Sequence, residues 1–358
     1  MSWEENIRRV VPYVAGEQPN KPGMIKLNTN ECPYPPAPGV ERMAAQMDCS
    51  AFRLYPDPDS TMLVDALAEY YHVSPKQVFV GVGSDDVLSM AFMTFFNSGR
   101  PVLFPDVTYS FYDVWAELHR IPYRTCPLDE DWHIRVQDYK QPNGGVIFPN
   151  PNAPTGLQES LETVEEIIRA NRDVVVIVDE AYVDFGGESA LSLVEKYDNL
   201  LVVQTFSKSR AMAGMRIGFC IGSEKLIGYL NDVKFSFNSY TMNLPSQILG
   251  TEAVRDDAYF RATTAKIIAT RERVKGELKG LGFAFPDSKA NFIFAAHETI
   301  PAKELFQALR EADIYVRYWN KPRISNSLRI TIGTDEQMNR LLEFLRDYVK
   351  KFKNGEIS

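Results

Sequence analysis

The sequence predicts an α/β protein in which a mostly parallel sheet forms a large domain and a smaller α+β domain follows it. Three observations lead to this prediction. Short runs of Val and Ile occur without alternation, as in strands that are buried on both faces of a parallel sheet. Helical patterns separate several of these runs, and the character of the sequence changes after residue 255. A chain of 358 residues is long enough to bury a core in each part.

The first part of the chain contains the runs that we expect to form the parallel sheet. A helix is predicted over 60–72, and another begins at Ser84, directly after a strand and a Gly-x-Gly turn. A third helical pattern covers 161–171. Buried strands are predicted at 77–80, 101–105, 144–149, 173–180, 199–206 and 217–222.

The second part of the chain has a different pattern, with a long helix over 257–280 before shorter strands. Alternating strands are predicted at 290–296, 314–319 and 327–333. A terminal helix follows, because Thr334 and Gln337 have the spacing of a capping box. The predicted domains are 46–255 for the large one, and 1–45 with 256–358 for the small one.

Composition and charge exclude several classes of function. The formal net charge is −8 and no basic block occurs beyond the terminal "KKFKNG", which argues against a nucleic-acid partner. The four cysteines are far apart and form no C-x-x-C pair, which favours a reduced compartment. The four histidines are scattered, so no metal site is expected. Without a signal-peptide pattern or a membrane-length apolar run, we expect a cytoplasmic protein with no membrane partner.

Chemically useful side chains follow three of the predicted strands. Asn152 lies in "NPNAPTG" after the strand 144–149, Asp179 and Tyr182 lie in "DEAY", and Lys208 follows the strand 199–206. Ligands of an open parallel sheet bind beyond the carboxyl ends of its strands. We therefore expect an amide, a carboxylate, a phenol and an amine at the same edge of the sheet.

Two nucleotide-binding interpretations of these segments fail on their spacing. An apolar run that ends in Asp-Glu is typical of nucleotide hydrolases, but these also need a G-x-x-x-x-G-K-[ST] loop, and the chain has no Gly-Lys dipeptide. "GVGSDD" resembles the start of a dinucleotide fingerprint, but Asp86 stands where the third glycine belongs. "NPNAPTG" is also compatible with a simple loop, since its residues favour turns.

A phosphate site is the better interpretation of the Gly-Ser turn. A helix that begins directly after a strand offers free backbone N–H groups to an anion. The residues that we expect to surround a phosphate are Ser84, Asp85, Thr205, Ser207 and Arg216. The combination calls for a phosphorylated ligand that also has a carbonyl group for Lys208 and a ring for Asp179.

Taken together, these residues resemble the fold-type-I aminotransferases that depend on pyridoxal 5′-phosphate, and within them the histidinol-phosphate aminotransferase family. The resemblance runs nearly end to end. It rests on "PYVAGEQPNKPGMIKLNTNECPYPP", "RLYPDPDS", "GVGSDD", "VTYSFY", "NPNAPTG", "VDEAYVDF", "TFSKSRAMAGMRIGF" and "LRITIGT". It implies a large domain with a seven-stranded, mostly parallel sheet.

The resemblance also implies roles for the cofactor residues. Lys208 would bind the cofactor as an imine and move the proton between the substrate Cα and the cofactor. Asp179 would pair with the pyridine nitrogen, while Asn152 and Tyr182 would bind the phenolic oxygen. Tyr109 would stack on the ring. Tyr55 would reach the phosphate from a neighbouring subunit, so a homodimer is implied.

For the substrate, the resemblance implies that Arg329 binds the anionic end, with Arg317, Tyr13 and Asn28 completing the pocket. The planar fork of arginine fits both a carboxylate and a phosphate. Arg317 is also compatible with a charge at a strand edge that faces water.

The implied reaction is transamination between L-histidinol phosphate and 2-oxoglutarate in histidine biosynthesis. Two alternatives use the same cofactor set: transamination of aromatic amino acids and decarboxylation of threonine phosphate. A regulatory domain that binds pyridoxal phosphate is disfavoured, because that class also carries a DNA-binding module.

Overall fold

The structure, a computed structural model, describes residues 2–357. Its strands are β1 (Ile25–Lys26), β2 (Val78–Gly81), β3 (Val102–Pro105), β4 (Tyr123–Cys126), β5 (Gly145–Pro149), β6 (Val176–Asp179), β7 (Leu200–Thr205), β8 (Gly218–Gly222), β9 (Phe283–Ala284), β10 (Phe292–His297), β11 (Ile314–Tyr315), β12 (Arg317–Tyr318) and β13 (Leu328–Thr331). Its helices are α1 (Pro38–Ala45), α2 (Thr61–Tyr71), α3 (Ser84–Phe95), α4 (Tyr112–His119), α5 (Leu161–Ala170), α6 (Glu224–Phe237), α7 (Leu244–Arg255), α8 (Asp257–Gly280), α9 (Ala302–Glu311) and α10 (Asp335–Lys353).

Seven strands form the central sheet in the order β2-β8-β7-β6-β5-β3-β4. The neighbours from β7 to β4 run parallel, whereas β8 runs antiparallel to both β7 and β2. Every residue of β2, β3, β5, β6, β7 and β8 is buried, which explains why these runs are apolar without alternation. The predicted mostly parallel, seven-stranded sheet is confirmed.

One strand of this sheet, β4, was not among the predicted strands. Its residues Tyr123, Arg124 and Thr125 are exposed and only Cys126 is buried. It lies at the edge of the sheet and pairs on one side only, with β3. An edge strand does not need the continuous apolar run that marks a central parallel strand.

The remaining strands form two smaller sheets. Antiparallel strands follow the order β12-β13-β10-β9, and β1 pairs with β11 in parallel. The predicted strand 314–319 is therefore two short strands with different partners, separated at Val316. The predicted long helix 257–280 and the capping box of Thr334 and Gln337 are both confirmed.

We propose that the large domain spans 46–255 and that the small domain combines 1–45 with 256–358. The packing of the small-domain core supports this division. That core combines residues of β10, α9, β13 and α10 with Ile25 and Leu27 from the N-terminal segment. Backbone hydrogen bonds from Ile25 N to Asp313 O and from Leu27 N to Tyr315 O attach this segment to β11. The N-terminal segment thereby packs with the strands that follow residue 255. Within residues 2–357, no helix has both the length and the apolar composition of a membrane span.

Candidate active site

A cavity of about 200 Å³ lies at the carboxyl ends of β5, β6 and β7. In the sheet register, Pro149 pairs with Asp179, so β5 and β6 end level with each other. Asp179 pairs with Val203, so β7 extends two residues further, to Thr205. The structure brings nine of the predicted cofactor residues to this cavity: Ser84, Asp85, Tyr109, Asp179, Tyr182, Thr205, Ser207, Lys208 and Arg216. Asn152 is adjacent to the lining residue Ala153, and Tyr55 does not line the cavity.

Lys208 lies in the loop after β7, and its amine points towards the N-terminal segment. Its Nζ donates a hydrogen bond of 3.0 Å to the backbone carbonyl of Thr29. Burial disfavours the ammonium form and, together with the nearby Arg329 charge, lowers the pKa of Lys208 to about 8. A substantial fraction of the amine is therefore neutral near physiological pH, as a nucleophile or base requires.

Asp179, at the end of β6, is buried, with 4% of its surface exposed. Burial raises its pKa to about 6, although a hydrogen bond from Tyr112 acts in the opposite direction. Tyr112 Oη donates to Oδ2 over 2.8 Å, and the backbone N–H of Ala181 donates to Oδ1 over 3.2 Å. A buried carboxylate of this kind attracts a cation or an N–H donor in the cavity.

Asn152 lies three residues after the end of β5, and Tyr182 lies three residues after the end of β6. Asn152 Nδ2 donates to Val107 O at 3.1 Å and to Thr155 Oγ1 at 3.0 Å. Its Oδ1 is buried and has no hydrogen-bond partner within residues 2–357. Tyr182 Oη accepts a hydrogen bond of 3.0 Å from Asn30 Nδ2, a contact that joins the N-terminal segment to the cavity.

The cavity is also lined by several groups that can donate hydrogen bonds to an anion. Helix α3 begins there at Ser84, after Gly83 at φ +82°. A Cβ at Gly218 would lie 2.2 Å from the backbone nitrogen of Ser84, so this close approach of β8 requires glycine. Thr205 Oγ1 donates to Ser207 Oγ at 3.0 Å, and Arg216 lies beside them. The N-terminus of α3 with a hydroxyl pair and a guanidinium fits a phosphate.

Asp85 lies in the first turn of α3 and lines the cavity, and its carboxylate has two hydrogen-bond partners. One of its carboxylate oxygens accepts from Tyr109 Oη at 2.8 Å, and the other accepts from Arg216 Nη2 at 3.1 Å. The carboxylate therefore holds the side chains of Tyr109, the predicted ring-stacking residue, and of Arg216, which is predicted to bind the phosphate. The backbone N–H of Asp85, in the first turn of α3, is the group of this residue that can donate to an anion.

A second cavity of about 390 Å³ adjoins the first, and both are lined by Thr29, Tyr109 and Ala153. The predicted substrate residues Arg329, Arg317, Tyr13 and Asn28 all line it. The structure thus places a cavity lined by two of the predicted anion-binding arginines next to Thr29, whose carbonyl binds the amine of Lys208.

Arg329 is the best placed of these residues to bind an anion. Its Nη2 donates to Asn28 O at 2.9 Å, while its buried Nε has no hydrogen-bond partner within residues 2–357. Burial lowers the pKa of Arg329. An unpaired N–H of a buried guanidinium is costly unless a ligand accepts from it.

The other substrate residues have local partners. Arg317 Nη2 donates to Val14 O at 3.3 Å, so Arg317 faces the N-terminal segment rather than open solvent. Asn28 Nδ2 donates to Glu17 O at 2.7 Å. The ring of Tyr13 stacks on that of Phe111, with centroids 4.1 Å apart. These contacts place the segment 13–28 along the second cavity.

Three residues of the site were not among those predicted from the sequence. They are Tyr112 on Asp179, Asn30 on Tyr182, and Trp319, whose ring lies 5.1 Å and 5.2 Å from the guanidinium carbons of Arg329 and Arg317. Tyr112 lies in the quoted motif "VTYSFY" and Asn30 in the "LNTNE" part of the first quoted motif, but their partners are distant in sequence. The sequence could indicate the motifs that contain Tyr112 and Asn30, but not the hydrogen bonds that these residues make.

The fold and the two cavities define an enzyme of the aminotransferase class. A family model described as aminotransferase class I and II matches residues 22–345. The histidinol-phosphate aminotransferase of Lactococcus lactis subsp. cremoris is 53% identical over 350 residues, 98% of each chain. The chain therefore belongs to the class I and II aminotransferases, and within them to the histidinol-phosphate aminotransferase family.

Solved structures have the same fold at lower identity. The histidinol-phosphate aminotransferase of Clostridium acetobutylicum gives a TM-score of 0.85 at 21% identity, over 92% of this chain and 100% of that one. The enzyme of Sinorhizobium meliloti, in complex with pyridoxal 5′-phosphate, gives 0.83 at 23% identity, over 92% and 91%. At these identities the likeness establishes the shared fold.

Proposed function

We propose that this enzyme transfers the amino group of L-histidinol phosphate to 2-oxoglutarate, which yields imidazole-acetol phosphate and L-glutamate in histidine biosynthesis. The observation that carries the proposal is the unpaired Nε of Arg329 in an anion pocket that adjoins the Lys208 cavity. Relatives of nearly equal length that bear the name histidinol-phosphate aminotransferase support it.

The residues of the first cavity fit pyridoxal 5′-phosphate as the cofactor. Asn152 Oδ1, which has no partner within residues 2–357, can accept a hydrogen bond from a cofactor hydroxyl. Rotation of the side-chain amide by 180° would present the Nδ2 donor instead. Asp179 would pair with the ring nitrogen, Tyr182 would bind the phenolic oxygen, Tyr109 would stack on the ring, and Lys208 would hold the cofactor covalently. The phosphate would lie between the first turn of α3, Thr205, Ser207 and Arg216. When bound, the cofactor supplies a conjugated ring that accepts the electron pair left by removal of a Cα proton.

Lys208 is the residue that would move this proton. Its lowered pKa allows the amine to accept a proton from the substrate Cα and to release it again at neutral pH. The backbone carbonyl of Thr29 accepts a hydrogen bond of 3.0 Å from this amine and so orients it. Asp179, kept away from water, stabilises positive charge at the ring nitrogen.

Arg329 would bind both substrates by their anionic ends. In one half-reaction its guanidinium would meet the phosphate of histidinol phosphate, and in the other a carboxylate of glutamate or 2-oxoglutarate. The planar fork pairs with either group through two hydrogen bonds. Arg317, Asn28 and Tyr13 would close the pocket around that anion.

We also propose that the enzyme acts in the cytoplasm as a homodimer, in which Tyr55 of one copy reaches the phosphate end of the partner's cavity. Tyr55 is 81% exposed and stacks on the ring of Tyr240, with centroids 4.6 Å apart. Leu54 and Phe237 are also exposed, at 58% and 70%. Large apolar side chains exposed together are typical of a protein interface.

The test follows the absorbance of the bound cofactor during a single half-reaction. Purified enzyme loaded with pyridoxal phosphate is mixed separately with L-histidinol phosphate, L-phenylalanine and L-threonine phosphate. Rapid conversion to the pyridoxamine form by histidinol phosphate alone is expected. Equal conversion by phenylalanine would instead assign an aromatic aminotransferase. Release of CO₂ from threonine phosphate, without the pyridoxamine form, would assign a decarboxylase.

A further inference from the structure

Asn30 is a fully buried residue that links three parts of the chain next to the first cavity. Only 1% of its surface is exposed, and its backbone adopts φ +56°, a conformation that asparagine tolerates better than most residues. Its side chain contacts Tyr182 of the large domain and Thr331 of β13. Asn291 Nδ2 donates to its backbone carbonyl at 3.0 Å.

The contacts with Thr331 decide which way the amide of Asn30 points. The backbone N–H of Asn30 donates to Thr331 Oγ1 at 3.0 Å, and the hydroxyl of Thr331 in turn donates to Asn30 Oδ1 at 3.0 Å. Because Oδ1 is the acceptor in this pair, the remaining group, Nδ2, faces Tyr182. The pair therefore distinguishes the oxygen from the nitrogen of the amide.

This orientation determines the hydrogen-bond role of Tyr182. Nδ2 of Asn30 has no lone pair to offer, so Tyr182 Oη accepts from it over 3.0 Å. Within residues 2–357, no hydrogen bond uses the phenolic proton of Tyr182, and Tyr182 lines the first cavity. The proton is thereby left for an acceptor in the cavity.

The same two segments also carry the substrate arginine. Arg329 and Thr331 lie two residues apart on one face of β13. Arg329 binds the carbonyl of Asn28, while Thr331 binds Asn30. The backbone N–H of Thr331 donates to Leu27 O at 3.0 Å, so the segment 27–30 lies along the strand.

We propose that Asn30 is a positioning residue that, held by Thr331, directs the phenolic proton of Tyr182 towards the cofactor's phenolic oxygen. Tyr182 then acts only as a donor to that oxygen. The inference rests on the proposed cofactor role of Tyr182. It adds a dependence on the N-terminal segment and on β13, neither of which belongs to the cofactor-binding sheet.

Asn30→Asp is the most direct variant, because it keeps the size and replaces the donor with an acceptor. One carboxylate oxygen still accepts from Thr331, but the other requires the proton of Tyr182, which turns away from the cavity. We expect the Kd for pyridoxal phosphate, measured by fluorescence titration of the cofactor-free protein, to rise about tenfold or more. The pH midpoint of the bound-cofactor absorbance is also expected to shift.

A double-mutant cycle with Tyr182→Phe separates positioning from a general structural effect. If Asn30 acts through the hydroxyl of Tyr182, Asn30→Asp has little further effect on the cofactor Kd in the Tyr182→Phe background. An equal loss in both backgrounds would overturn the proposal. If Tyr182→Phe alone left the Kd and the spectrum unchanged, the cofactor role of Tyr182 would fail, and the inference with it. The Tyr182→Phe variant would show this failure by losing half-reaction activity while it still binds the cofactor normally.

Thr331 provides a second measurement that does not depend on a new charge. Thr331→Val removes the hydroxyl that orients the amide, whereas Thr331→Ser keeps it. We expect weaker cofactor binding and a shifted absorbance midpoint with valine, and a Kd close to that of the wild type with serine. Equal cofactor affinity for the two variants would contradict the proposal, even if Asn30→Asp failed to fold.

Discussion

Tyr112 donates a hydrogen bond of 2.8 Å to Oδ2 of Asp179, and both residues are almost completely buried. The phenol is the only side chain within residues 2–357 that donates to this carboxylate, since the second donor is the backbone N–H of Ala181. Burial raises the pKa of Asp179, and the bond from Tyr112 limits the rise. The ionisation of Asp179 therefore depends on a residue at the start of α4.

Tyr112→Phe is expected to shift the acid limb of the pH profile of kcat/KM to higher pH. Without its side-chain donor, the Asp179 carboxylate is less stable as an anion, so its pKa rises further. A hydrogen bond to a charged group contributes about 1.5–3 kcal/mol, which predicts about a tenfold or larger loss of cofactor affinity. Tyr109→Phe is the control, because its hydroxyl binds Asp85 instead. An unshifted acid limb in Tyr112→Phe would contradict the prediction.

Asp179→Asn is expected to stabilise the cofactor-free protein at neutral pH while abolishing turnover. The folded-state pKa of about 6 lies above the value of 3.8 for an ordinary aspartate. Below pH 3.8 the carboxyl is neutral in both states, and its contribution to stability is fully present. As the pH rises through about 6, the folded protein must ionise a buried group, and that stability is lost. The difference corresponds to about 3 kcal/mol. This free-energy difference is measured by urea unfolding of the wild type and of Asp179→Asn at several pH values from about 4 to about 7. Parallel pH dependences of the unfolding free energy for the two proteins would contradict the prediction.

Lys208 is expected to react as a neutral amine at lower pH than an exposed lysine. Reductive methylation of the cofactor-free protein, quantified by peptide mass spectrometry across a pH series, should give a midpoint near pH 8 for Lys208. Lys351 is the internal control, because a hydrogen bond from its ammonium group to Asp347 raises its pKa. Coincident midpoints for the two lysines would show that burial does not lower the pKa of Lys208.

Arg329→Lys is expected to reduce kcat/KM for both histidinol phosphate and glutamate, by about tenfold to 100-fold. Lysine keeps the charge but lacks the planar fork and the Nε donor that is unpaired in the cavity. Arg317→Lys is the matched control, and a loss under about tenfold is expected because Arg317 is only partly buried. Steady-state kinetics with each substrate decide the point. A loss confined to one substrate would argue against a shared anion site.

Mixing two inactive variants tests the proposed role of Tyr55 in a partner subunit. Lys208→Ala and Tyr55→Ala are unfolded together, refolded and assayed. If Tyr55 acts across the interface, each mixed dimer has one site with both native residues, so about a quarter of the sites recover activity with random pairing. If Tyr55 served the site of its own chain, no site would regain both residues. Unmixed samples of each variant, refolded in the same way, are the control.

Much of the site was predictable because its residues follow buried strands. Asp179 and Lys208 stand directly after apolar runs, and parallel strands bring their carboxyl ends to one edge. The structure places both at one cavity, which Ser84 and Arg216 also line. Edge strand β4 was missed because its exposed side chains carry no apolar pattern.

The contacts between distant segments were not predictable in the same way. Tyr112 and Asp179 are 67 residues apart, and Asn30 and Thr331 are 301 apart. Local periodicity reports which face of an element is buried, but not which side chain of another element it meets. The hydrogen bonds of the Asp85 carboxylate are a further example, because its partners Tyr109 and Arg216 lie 24 and 131 residues away in the chain.

The sequence by itself determined the fold class, the family and most of the groups that the site contains. Strand patterns and motifs are local properties of the chain, so they can be recognised without knowledge of the packing. Only the tertiary structure decided how those groups are held: which donor reaches Asp179, which amide donates to Tyr182, and which N–H of Arg329 has no partner within residues 2–357. These depend on hydrogen-bond distances of about 3 Å between segments far apart in the chain, which only the packed core brings together.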